Sequence, residues 1–291
     1  MKKIITDFFS FIRKPKDFQY SGNDKNYKWK VFFTLFGLKL LFLVIYIPLA
    51  NLIDQNFNYE HNFDEKNFTL IQTIISIVIA APIIEEIVFR FGLRRQGFLK
   101  RIFSEKRWVR YFPFLIYSSS ITFGFVHLGN YSNFNFVFLF VAPIMLLSNL
   151  FGGFILAFIR VRFTIVFSIL FHAFWNSFVL FVIDGSYYFI NEDRIEIKNT
   201  TYDLTIQPKQ FLPLKPSVVY YNANIDTIYN LTTHNRSIGE IINIISPLDT
   251  NYFKTSTLVQ FQFKSEKGIS KDSLLHILET EGYIEKKAKT N

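Results

Sequence analysis

The sequence predicts an all-α polytopic membrane core of about five spans with a C-terminal soluble α+β domain. Three observations carry this. Half of the 291 residues are hydrophobic and 37 are Phe, more apolar surface than one soluble core needs. That surface comes in runs long enough to cross a bilayer. After about residue 190 the runs give way to strand-like alternation and prolines.

Residues 1–30 hold eight Lys/Arg against three Asp, with Phe8, Phe9, Phe11 and Ile12 interspersed. The first long apolar run starts only near Val31 and no small-residue cleavage site follows it, which argues against a cleaved signal peptide. The segment reads as a solvated basic cytoplasmic tail, with an apolar face resting on an anionic membrane surface as the alternative.

Residues 31–190 form the transmembrane core, with spans at about 31–53, 68–90, 112–131, 136–159 and 163–183. The connectors alternate in charge. Asp54–Asn67 has four acids and one lysine, whereas Arg90–Arg110 has eight bases and one acid. Tyr131–Asn135 is uncharged, Arg160 and Arg162 make the next turn basic, and Asp184–Asp193 is acidic. Because Lys and Arg in short loops stay cytoplasmic, this pattern puts the N-terminus inside and the C-terminus outside a cell membrane. The formal charge of +9 is read the same way: the bases sit at the ends of apolar runs rather than in a stripe with interleaved aromatics, so no nucleic-acid partner is expected. There is no cysteine, which excludes disulfides, thiol nucleophiles and thiolate metal sites.

Residues 191–291 are expected to be a soluble, extracytoplasmic α+β domain. Arg194–Gln207 alternates as a strand, with Ile195, Ile197, Leu204 and Ile206 on alternate positions, followed by Pro208, Pro213 and Pro216. Ser237 and Glu240 have capping-box spacing ahead of a short apolar helix that stops before Pro247. Phe253–Lys264 reads as a strand with Val259, Phe261 and Phe263 on one face, and Ser270–Glu279 as an amphipathic helix; a strand–helix duplication within this tail is an option. His234 and His276 have no clustered Asp, Ser or Glu and read as surface groups. The domain is a candidate surface for a protein partner.

Three polar clusters interrupt the spans: Glu85, Glu86 and Arg90; Phe123 and His127; His172 and Asn176. Ionisable groups at membrane depth are costly and by default mark function. Glu86 and Arg90 are an i, i+4 pair on one helix face, Glu first, which is the better order; Glu85 points elsewhere, free to act on something else. A carboxylate, two imidazoles and a carboxamide on three helices are the parts hydrolysis needs: a base for water, a group to position it, and donors for an oxyanion. Glu plus two His is also a ligand set for catalytic zinc with an open position. Taken singly, each cluster is as readily a helix-packing group. Asn149, Ser118, Ser119, Ser120 and Thr122 read as packing groups too.

Glu85-Glu86-Ile87-Val88-Phe89-Arg90, Phe123 to His127 and His172 to Asn176 resemble, in order and spacing, the EExxxR, FxxxH and HxxxN motifs of the CAAX-processing and bacteriocin-processing (CPBP) family of intramembrane proteases, which includes the CAAX prenyl endopeptidase. The resemblance covers roughly residues 68–183. It implies metal-free hydrolysis of a peptide bond in a membrane-embedded peptide or lipid-modified protein at the bilayer, with no cofactor. It further implies that Glu85 is the general base helped by His127, that His172 and Asn176 stabilise the oxyanion, and that Glu86, Arg90 and Phe123 support them. The family often has Gly directly after the motif arginine; here Phe91 stands before Gly92. The span limits also place Glu85 and His127 more than ~10 Å apart in depth, so helix ends are expected to shift. The readings from other classes are a non-catalytic immunity protein or scaffold presenting its C-terminal domain to a partner, and a transporter, although no two-fold repeat of spans is evident.

Overall fold

The computed structural model describes residues 1–57, 68–131, 136–186, 194–214, 218–247, 252–253 and 258–286. The acidic connectors, the turn after Tyr131 and Pro216 fall wholly or partly outside these. The chain forms two compact units, Met1–Phe63 with Ile75–Ser177, and Asp64–Ile74 with Phe178–Asn291.

The first unit is helical. Its opening helix, α1 (Lys2–Arg13), is strongly amphipathic and buries Ile4, Phe8 and Phe11. Phe8 and Phe11 meet Phe158 edge-on at 5.5 and 5.4 Å. Arg162 pairs with Asp7 at 3.0 Å, and the Trp108 indole donates to Asp17 at 2.7 Å. The expected solvated tail is thus corrected: an apolar stripe at helical spacing found a protein surface to cover. Arg94 donates to the Phe163 carbonyl at 3.1 Å and to Gln19 at 2.5 Å. These bonds gather the N-terminal segment, the basic connector after Arg90 and the turn after Arg162 at one end of the helices.

After α2 (Tyr27–Phe57) come α3 (Leu70–Thr73), π-helical turns (Ile74–Ala80), α4 (Ala81–Arg90) and a 3-10 turn (Phe91–Leu93). A capping box of Thr69 and Gln72 starts α3, and Pro82, which has no N–H to give a preceding carbonyl, follows the π-helical turns directly in α4. Next are α5 (Phe98–Ile102), α6 (Glu105–Val126), α7 (Phe136–Met145), α8 (Leu147–Arg162) and α9 (Ile165–Phe178), with a 3-10 turn (His127–Asn130) after α6 and π-helical turns (Val179–Asp184) after α9.

Among the described residues, three helices are long and apolar enough to cross a membrane: Tyr27–Ile53, Glu105–Asn130 and Ile165–Asp184. Helices α7 and α8, bent by 43°, make a fourth if counted as one broken span. Five spans are therefore not reached. The second expected span, 68–90, is divided into α, π and α turns and carries three charged groups. Outward-facing Leu41, Val44, Ile45, Ile84 and Val88 are each at least 60% exposed, as side chains facing lipid are. The protein is a multi-pass membrane protein.

Helices α6 and α8 pack closely because Gly153 has no side chain: a Cβ there would lie 2.9 Å from the Ser120 carbonyl oxygen. The core around them holds Phe112, Ile116, Phe123, Ile155, Phe158 and Phe171, with α1 and Val31, Phe32 and Leu35 of α2.

In the second unit, β1 (Ile195–Lys198), β2 (Asp203–Lys209), β3 (Tyr220–Ala223), β4 (Thr227–Ser237) and β6 (Leu258–Ser270) form an antiparallel sheet in the order β1-β2-β6-β4-β3; β5 (Tyr252–Phe253) pairs with β7 (Glu285–Lys286). The single strand expected over Arg194–Gln207 is instead a hairpin. Asn199 Oδ1 accepts from the Thr201 and Tyr202 amides, both at 2.8 Å, and turns the chain. Of the strand expected over Phe253–Lys264, Leu258 onward is β6 and Phe253 ends β5, while residues 254–257 lie outside the described residues.

Leu204, Ile206, Val259, Phe261 and Phe263 point to one face, as their alternation predicts, and are covered by α10 (Ile238–Ile245) and α11 (Lys271–Thr280). The Ser237–Glu240 capping box is present, and α10 ends before Pro247. Strand β4 runs straight into α10 and β6 into α11, each through a capping serine, Ser237 and Ser270. His234 and His276 are exposed.

Candidate active site

The three motif segments are brought together by packing around α4. Glu86 and Arg90 are fully buried, with Glu86 Oε1 3.8 Å from Arg90 Nε. Ser168 of α9 donates to Glu86 Oε2 at 2.5 Å. His172, one turn further along α9, turns Nδ1 to Glu86 Oε1 at 3.2 Å. A carboxylate only accepts, so Nδ1 carries the proton. Glu86 therefore fixes the ring's orientation as well as meeting Arg90.

The opposite ring nitrogen, His172 Nε2, faces Glu85 Oε2 at 3.7 Å. That oxygen is cut off from solvent and has no hydrogen-bond partner among the described residues, although the Glu85 side chain as a whole is 29% exposed. His172 thus stands between the two adjacent carboxylates, one holding it and one facing it.

Phe123 is the hub of the aromatic contacts. Its ring lies 4.8 Å from His127 and 5.7 Å from His172, both edge-on, and the Arg90 guanidinium covers it at 3.9 Å. The Phe123 carbonyl takes His127 Nδ1 at 2.7 Å, leaving Nε2 of His127 directed away from its own helix. His127 lies within electrostatic reach of Glu85, His172 and Lys39.

Asn176, one turn beyond His172, donates to the Ile77 carbonyl at 2.9 Å. Ile77 lies in the π-helical turns before α4, where carbonyls lose their regular i+4 partner. The amide has a second N–H. A small cavity of about 50 Å³ is lined by Lys39, Phe123, His127, Asn149, His172 and Asn176 among others, room for at least one water.

The expected depth gap between Glu85 and His127 does not arise. The end of α4 meets α6 well along that helix, where Ser119 donates to the Phe89 carbonyl at 2.6 Å, and meets the last turn of α8, where Arg160 donates to the Arg90 carbonyl at 3.1 Å. Ser119 stands 14 residues along from the start of α6 at Glu105, ~21 Å into the helix.

All seven residues singled out from the sequence are in this cluster. Ser168 and Lys39 were missed. Ser168 carries no signal beyond lying one turn before His172. Lys39 has one: it is a charge in the middle of the first apolar run. Asn149 lines the cavity rather than merely packing helices. Among the described residues no group of three or more His, Cys, Asp or Glu is close enough to hold a metal.

Residues 67–178 match the family model described as "Type II CAAX prenyl endopeptidase Rce1-like". No curated protein and no solved structure matches the chain.

Proposed function

We propose, from the match of residues 67–178 to the model of the Rce1-like type II CAAX prenyl endopeptidases, that this membrane protein is an intramembrane endopeptidase. It hydrolyses a peptide bond in a membrane-associated or lipid-modified protein. Glu85 takes the proton from a water held against His127, and the hydroxide attacks the scissile carbonyl. The tetrahedral oxyanion is met by the Asn176 N–H and by His172, which donates from Nε2 as an imidazolium while its Nδ1–H stays on Glu86, and Glu85 returns the proton to the leaving amine. Glu86, Arg90 and Phe123 hold His172 and His127 in place and touch no reacting atom. No cofactor takes part.

The observation that carries this reading is Glu85 Oε2: shielded from water, unbonded, and 3.7 Å from His172 Nε2. A polar atom buried without a partner is costly, and a water or a substrate N–H at that point would satisfy it.

The charge pattern of the connectors supports a cytoplasmic N-terminus and an outside location for residues 191–291, the latter requiring that 68–90 cross the bilayer. In that place the sheet domain would recruit a substrate or partner.

The test is turnover of a fluorogenic, lipid-modified peptide by the protein in lipid nanodiscs. Glu85→Gln and His127→Ala should each lower it at least ~100-fold, the low end for a lost proton-transfer group, with membrane insertion intact. Turnover retained by Glu85→Gln removes the base. Turnover lost to a chelator and restored by zinc replaces the metal-free mechanism. A folded wild-type protein that cleaves nothing leaves the scaffold reading in its place.

A further inference from the structure

A groove that none of the steps above uses runs along one face of α2. Its walls include Ile4 and Ile5 of α1 and Lys30, Phe33, Gly37 and Leu41 of α2, and its volume is about 670 Å³, within the range of small-molecule sites. Phe33 and Leu41 are exposed, so the groove opens toward lipid. At Gly37 it is open as well: an added Cβ meets nothing within 4 Å. The polar groups gather at one end, where Asn26, Trp29 and Lys30 line it. Lys30 gives one N–H to Asp24 at 2.8 Å, and an ammonium has three. Lys2, Lys3 and Lys25 flank the same end in sequence and are exposed, so its charge is positive even with Asp24 counted. From Lys30 to Leu41 the helix rises ~16 Å, about half of the ~30 Å hydrocarbon core and thus the depth of one leaflet.

We propose that this groove holds one anionic phospholipid of the surrounding bilayer, with an acyl chain laid along α2 as far as Leu41 and the phosphate at Lys30. Such a lipid joins an apolar chain of one leaflet's depth to an anion, and the groove offers an apolar floor of that length ending at a cation. Trp29 stands at the junction, at the headgroup level where amphipathic rings sit. The lipid chain of a modified substrate is the competing occupant, and its place argues against it. Lys39, which lines the cavity of His127 and His172, is two residues on from Gly37 and so ~200° around α2. The helix therefore stands between the groove and Glu85, and a substrate anchored here would have to pass around it. Because α1 and α2 both supply walls, the bound lipid ties the amphipathic first helix to the first membrane helix.

The experiment is native mass spectrometry of the full chain in detergent, titrated with phosphatidylglycerol and, separately, with phosphatidylcholine of the same acyl chains. One phosphatidylglycerol should bind at least about fivefold more tightly than phosphatidylcholine, the scale of one lysine at an anionic surface. Lys30→Gln should weaken phosphatidylglycerol by about that factor and leave phosphatidylcholine unchanged. Gly37→Phe puts a ring into the open groove and should weaken both lipids at least about tenfold, the worth of about two buried CH₂ groups. Val109→Phe, at an exposed position of α6 that does not line the groove, should change neither. The proposal is overturned by equal binding of the two lipids, by a preference that survives Lys30→Gln, by wild-type affinity in Gly37→Phe, by an equal loss in Val109→Phe, or by a Gly37→Phe protein that fails to fold, since the groove would then not be open. A lipid-modified peptide that displaces the bound phosphatidylglycerol at equal concentration gives the groove to the substrate and overturns it too. Turnover is not needed for any of these readings, so they stand apart from the fate of the peptidase proposal.

Discussion

Replacing Arg90 with Met tests the support beneath the site. Arg90 and Glu86 are both fully buried and 3.8 Å apart. Arg90 Nε and Nη1 have no hydrogen-bond partner among the described residues, and Nη2 reaches the Gly153 carbonyl only at 3.5 Å. Methionine fills much of the same space over Phe123 but leaves the Glu86 carboxylate with only Ser168 and His172 against it. Removing one member of a buried pair costs roughly 3–5 kcal/mol, or ~6–20 °C in melting temperature for a unit of this size.

Converting the remaining carboxylate as well, in the Glu86→Gln/Arg90→Met double variant, should recover most of that loss, because a buried pair replaced by neutral groups is often close to neutral. The assay is thermal unfolding of the detergent-solubilised protein, read as a double-mutant cycle. A single Arg90→Met that costs less than ~1 kcal/mol, or a double variant as unstable as the sum of the two singles, would refute the view that the two charges depend on each other.

Two further outcomes follow from packing. Phe8→Ala should destabilise the protein by about 3–5 kcal/mol, since Phe8 is 0% exposed; a change within ~0.5 kcal/mol, as at a surface position, in the same melting assay would return α1 to the status of a tail. Gly153→Ala pushes a methyl to 2.9 Å from the Ser120 carbonyl and should cost about 1–3 kcal/mol, whereas Gly37→Ala, with nothing within 4 Å of the added Cβ, should be neutral or stabilising by up to ~1 kcal/mol; equal effects would refute the close approach of α6 and α8.

The site was legible in the sequence because its members are the wrong chemistry for their surroundings: Glu85, Glu86, Arg90, His127, His172 and Asn176 stand out of apolar runs. The sheet faces and the Ser237–Glu240 cap were legible because they depend on short-range periodicity. What needed coordinates was long-range. The amphipathic pattern of α1 specifies that one face is covered and does not say by what, so Phe158 could not be told from lipid. Span counting assumed that neighbouring helices start level with one another, and the end of α4 meets α6 only at Ser119, well along that helix. Asn199 breaks a strand that alternates cleanly on both sides of it. Lys39 was readable by the same rule as Glu85, as a lone charge among Leu38, Leu40 and Leu41.

The π-helical turns Ile74–Ala80 hold one residue more per turn than the helix they lead into. Seven residues at ~82° each advance the chain by ~570°, and six at the regular ~100° by ~600°, so losing a single residue there would rewind the segment and leave α4 facing nearly as it does. The same loss from regular helix would turn α4 by ~100°, the angle between neighbouring Glu85 and Glu86, and the carboxylate facing His172 Nε2 and the one gripping Arg90 would trade places. The facing of this helix is thus buffered upstream, in a stretch containing nothing but Ile, Val, Ala and one Ser.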